Sequence, residues 1–84
     1  MLKELVSKYV QTTERVLSDI HITKGSILVD VEKTQGVIEM AQRYLEDAKY
    51  YQKRNKLETS LASVAYCEGL LDALRLLGIV EFSW

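Results

Sequence analysis

Apolar residues return along this chain at helical spacing, and strand-like alternation is absent. In the first twenty positions Leu2, Leu5, Val6, Tyr9, Thr13, Val16, Leu17 and Ile20 project to one side of a helix, with Lys3, Glu4, Lys8, Gln11, Glu14 and Arg15 mainly on the other. The pattern fades at His21, and Thr23, Gly25 and Ser26 mark a connection in which Thr23 or Ser26 is the expected cap of the next helix. Ile27, Leu28, Val31, Ile38, Ala41, Leu45 and Ala48 then carry a second helix, joined by Val37, Tyr44 and Tyr51. Gly36 leaves two versions of it open, one continuous helix or two shorter ones broken near Thr34 to Gly36. Asn55-Lys56-Leu57-Glu58 reads as a capping box with Asn55 as the cap, which makes the second turn tight and the second and third helices antiparallel. Gly78 ends the third helix, and an apolar tail follows with Ile79, Val80, Phe82 and Trp84. The expectation is therefore an all-α, up-and-down three-helix bundle with a short apolar C-terminal tail. It forms a single helical domain over 1–84, with helices over about 2–21, 27–53 and 56–77.

The third helix is more apolar than a surface helix requires. Its polar stripe after the first turn is narrow, made of Glu68, Asp72 and Arg75, and the apolar arc covers about two thirds of its circumference. Either the tail folds back over the excess or another chain covers it. With the turn at Asn55, residues facing each other across the hairpin have numbers summing to about 110, which pairs Tyr44 with Tyr66, Asp47 with Ser63 and Ala41 with Gly69. Ala41, Ala48, Ala62, Ala65, Gly69 and Ala73 are small, and close helix approach is the expected reason for a glycine at 69.

Composition narrows the function classes. The 84 residues are 48% hydrophobic with no proline, which excludes a disordered chain but allows only a modest core. Eleven Lys and Arg against 12 Asp and Glu give no general pull towards nucleic acid or anionic membrane. The single cysteine, Cys67, gives no internal disulfide framework. The opening Met1-Leu2-Lys3-Glu4-Leu5 is unlike a signal peptide, and no apolar run is long enough to span a bilayer. The expected setting is cytoplasmic, with no membrane partner and no cofactor.

The run from Tyr44 to Gly78 carries Tyr44, Asp47-Ala48, a capped turn, Leu61-Ala62, Tyr66, Gly69, Leu71-Asp72-Ala73-Leu74 and Leu77-Gly78. This resembles a small, mostly archaeal helical family, the domain of unknown function 357. The Tyr-x-x-Gly-x-x-Asp-Ala segment followed by Leu-Gly is its specific part. The N-terminal half is similar only in helical character. Relatives carry Ala-His before that glycine where this chain has Cys67-Glu68, so histidine chemistry at that place is absent here. The resemblance implies a three-helix bundle, an archaeal and cytoplasmic setting, and relatives joined to nucleotidyltransferase-like domains. It implies no established activity.

Candidate chemistry is sparse, and each cluster has a plain structural alternative. Tyr44, Asp47, Ser63 and Tyr66 form a possible polar cluster, extended by Asp72; it reads as a small ligand pocket or as a network that pins helix register. Glu68, Asp72 and Arg75 read as a solvated ionic stripe, since the Glu-x-x-His pairs of di-metal bundles are missing and no metal site is expected. Lys53, Arg54 and Lys56, with Lys49, Tyr50 and Tyr51, form a basic tip that suits RNA or a nucleotide phosphate, or simply a helix C-terminal dipole. Arg15 and His21 match the spacing of the Arg–His pair of HEPN-type ribonucleases, but the rest of that fold is missing. Cys67 reads as a small core hydrophobe. No catalytic residue is assigned. The leading expectation is a non-enzymatic protein-interaction module, a homo-oligomer using Tyr66, Leu70, Leu77, Phe82 and Trp84 as its interface. The alternative is an accessory or ligand-binding domain for nucleotide or RNA chemistry.

Overall fold

The computed structural model describes residues 1–23, 25 and 28–84. Three helices follow in chain order: α1 over Leu2–Asp19, α2 over Val31–Lys53 and α3 over Leu57–Leu76. No strand occurs among the described residues, so the all-α class holds.

The second helix starts later than its apolar pattern predicts. Asp30 is its cap: its Oδ1 accepts the Lys33 backbone N–H at 2.7 Å. An aspartate that satisfies an otherwise unpaired amide of the first turn outcompetes the apolar signal upstream. Thr23 is therefore not the cap, and Ser26 and Ile27 lie outside the described residues. Leu28, expected on the core face, is 99% exposed and outside the helix. α2 then runs unbroken through Gly36, which settles the question of one helix or two. The first helix also stops slightly early, with Ile20 already extended.

The tight turn forms, but not through the expected capping box. Asn55 has φ 58, in the left-handed region, and the cap position of α3 belongs to Lys56, which makes no side-chain capping bond. Lys56 donates its N–H to Tyr51 O at 2.9 Å and Asn55 to Gln52 O at 3.0 Å. These are the two bonds of a Schellman motif, so Asn55 closes α2 instead of opening α3. Asparagine tolerates this conformation better than any other residue except glycine. Gly78 repeats the device at the end of α3 with φ 75, donating to Arg75 O while Ile79 donates to Leu74 O.

α2 and α3 pack closely along their lengths as an antiparallel pair. The register matches the expected sum of about 110 near its middle, where the Tyr44 and Tyr66 rings lie 4.4 Å apart. One turn nearer the tip, the Ser60 hydroxyl donates to Ala48 O at 2.7 Å, a cross-hairpin bond the residue pattern does not announce. The core is small. Ala41, Ala48, Cys67 and Leu74 are buried, and no large side chain among the described residues is fully enclosed. Gly69 does not meet α2: a Cβ added there would find nothing within 4 Å. The projection explains why, because Gly69 lies about 160° around α3 from Cys67 and so points away from the seam.

α1 packs against neither α2 nor α3, and none of its residues is buried. Its amphipathic stripe, which should complete the bundle core, lies in water within the single chain.

Candidate functional site

The expected interface residues separate into two places. Tyr66 and Leu70 lie on α3 along the Tyr44 side of the hairpin, Leu70 half-buried and Tyr66 more exposed. Leu77, just past α3, is exposed. Phe82 and Trp84 belong to the tail, which folds back but not over the apolar flank. It docks on the polar stripe instead. The Trp84 indole Nε1–H donates to Asp72 Oδ1 at 2.9 Å, and Arg75 donates to the same oxygen at 3.1 Å. Phe82 stands edge-on to Trp84 with centroids 5.0 Å apart, and the Arg75 guanidinium lies 5.6 Å from the Phe82 ring. On the stripe the indole N–H meets a carboxylate acceptor, which the leucine flank lacks. The indole bond and Arg75 together hold the Asp72 carboxyl below the usual 3.8. Trp84 itself stays 65% exposed.

Asp72 is thereby occupied and separate from the other members of the expected polar cluster. Tyr44 stacks on Tyr66, Ser63 is half-buried, and Asp47 is exposed with no hydrogen bond or ion pair among the described residues. No buried polar side-chain atom among the described residues lacks a hydrogen-bond partner. A depression of about 660 Å³ runs from Glu39 to Asp47 along α2 alone and is open on its outer side. Among the described residues no three of His, Cys, Asp and Glu come together as a metal-binding group.

At the tip of the hairpin, Lys53, Arg54 and Lys56 are exposed and make no ion pair among the described residues. Arg54 stacks over the Tyr50 ring at 4.5 Å, and Tyr50 meets Tyr51 edge-on at 5.2 Å. Lys49 pairs with Glu46 at 3.5 Å. His21 lies beyond α1, exposed, with Nδ1 3.4 Å from Asp19 O. Cys67 is buried, as its reading as a core hydrophobe requires.

The surface that the residue pattern undervalues is α1. Seven large apolar residues of α1 and Ile20 at its end are each between 46% and 68% exposed. The signal was present as amphipathic spacing, but a periodic stripe does not say whether its own chain or another covers it. No described helix is long and apolar enough to cross a membrane, so the stripe is not part of a span. No curated protein and no solved structure matches the chain. The Tyr66–Gly69–Asp72–Ala73 segment and the Leu77–Gly78 stop fall inside a family match that covers residues 8–80 and is described as protein of unknown function (DUF357). Spanning most of the sequence, that match makes the chain a member of the DUF357 family.

Proposed function

We propose that the chain is a non-enzymatic helical interaction module that self-associates. The observation that carries this reading is the mismatch between core and surface: among the described residues four small or medium side chains are buried, while a complete amphipathic helix leaves its apolar stripe in water. The exposed side chains of that stripe amount to something on the order of 800 Å², beyond the roughly 300–600 Å² that the largest patch of a typical monomer reaches. Burial of apolar surface at about 25 cal/mol per Å² favours covering it. Leu76, Leu77 and Trp84 add exposed apolar surface at the C-terminal end of α3 and in the tail.

Sedimentation velocity of the full chain over a concentration series tests the proposal. The expected result is a mass that rises with concentration. A strict monomer into the high micromolar range sinks the self-association reading. Leu70→Glu and Trp84→Ala, compared with substitutions in α1, tell which surface is used.

A second reading has one specific observation behind it. Arg54 stacked on Tyr50, beside Lys53 and Lys56 with no acidic partner among the described residues, offers cations and a π-face to a phosphate or an unpaired base. It makes the chain an accessory domain for nucleotide or RNA chemistry. A thermal-shift series with nucleotides and short RNA tests it. No rise in melting temperature at millimolar nucleotide would end it.

A further inference from the structure

We infer that the partner of α1 is the α1 helix of a second copy of this chain, laid antiparallel across a two-fold axis near Tyr9. The inference rests on the self-association reading above and supplies its geometry. It starts from charge. The N-terminal half of α1 carries Lys3, Glu4 and Lys8 and the C-terminal half Glu14, Arg15 and Asp19, so the first half is net positive and the second net negative. Parallel pairing sets like against like. Antiparallel pairing sets each half against its opposite and also opposes the two helix dipoles.

The edge residues specify a register. At about 100° per residue, Lys3 and Glu14 lie along one and the same edge of the apolar stripe, about three turns apart. They are too far apart to pair within one helix. In an antiparallel dimer, residues on the same edge meet across the axis when their numbers sum to a constant. Bringing Lys3 to the partner's Glu14 sets that constant at 17 and the axis between Lys8 and Tyr9, so that Tyr9, 62% exposed in the single chain, lies beside its own copy and Leu2 comes within one residue of facing the partner's Val16. Both Lys3 and Glu14 are exposed, and neither has an ion-pair partner among the described residues. Symmetry then makes the pair twice. Part of two stripes of on the order of 800 Å² each is covered, which is the low end of a specific interface, so the dimer is a weak and reversible one.

The alternative occupant of the stripe is the chain's own α2–α3 hairpin, and a charge swap separates the two. Single variants Lys3→Glu and Glu14→Lys each set like charges against each other twice across the axis. Each is expected to weaken dimerisation about 5- to 10-fold by sedimentation equilibrium at low salt. The double variant Lys3→Glu/Glu14→Lys restores both pairs with their signs exchanged and is expected to return to within about twofold of the parent. Tyr9→Glu, at the axis, is expected to leave a monomer, with helix content by circular dichroism showing that the α2–α3 hairpin persists. A dimer unmoved by any of these changes overturns the α1 geometry and leaves self-association standing through another surface. Two weakened single variants with no recovery in the double overturn the antiparallel register. A monomeric parent protein overturns both the geometry and the reading beneath it.

Discussion

Replacing Gly69 by alanine tests the account of α3 most directly. In the interior of a helix, alanine is favoured over glycine by about 1 kcal/mol, because glycine loses more backbone freedom on folding. Whether that gain is realised depends on what the new methyl meets. At Gly69 it meets nothing within 4 Å, so the overpacking cost of about 1–3 kcal/mol that a filled seam would impose does not arise. The residue is exposed, so no polar group is stranded by the change. The expected outcome is a gain of about 1 kcal/mol, which for a chain of this size raises Tm by roughly 4–8 °C. Thermal and urea unfolding followed by far-ultraviolet circular dichroism measures it, with Gly36→Ala as a companion that also meets open space in a helix. The two substitutions should behave alike. A loss of stability at Gly69 with a gain at Gly36 refutes the reasoning, since it requires a backbone or side chain pressed against the Gly69 face that the single chain does not contain.

The remaining expectations concern the seam, the turns and the tail. Ala48→Leu inserts a large side chain where Ala48 is 5% exposed, and should cost about 1–3 kcal/mol, read as a lower urea midpoint. Gly78→Ala forces a methyl onto φ 75 and should cost about 1–2 kcal/mol, whereas Asn55→Gly, at φ 58, relaxes a milder strain and should be neutral or slightly stabilising in the same assay. Trp84 is the single tryptophan, so its fluorescence reports tail docking alone. Asp72 has its carboxyl lowered from 3.8 in the docked tail, so docking is fully supported above that ordinary value and is lost as pH falls through the lowered one. Emission should therefore hold steady from neutral pH down to about 4 and shift red only below it, and Asp72→Ala should show the shifted spectrum at neutral pH. A midpoint above 4 would show that the indole bond does not hold the carboxylate.

The helices themselves were legible in the sequence because their signals are local. Periodic apolar positions, the absence of proline and the Gly78 stop each act within a few residues, and α1, α2 and α3 follow them to within a few positions. The Tyr44–Tyr66 contact was legible too, since a short turn leaves an antiparallel hairpin little freedom of register. Where local signals compete, the pattern misleads. Asp30 caps α2 against the apolar run before it, and Asn55 serves the end of one helix instead of the start of the next, because an asparagine side chain suits either role. Longer-range outcomes needed the tertiary structure. Gly69 faces away from the seam because the hairpin rotates Cys67 into it, and the tail docks on Asp72, whose carboxylate accepts the indole N–H, instead of on the leucine flank. Above all, the amphipathic stripe of α1 was legible as an apolar face, but a periodic pattern does not say what covers it. In the single chain α2 and α3 bury their seam against each other, and α1 remains with its apolar face in water.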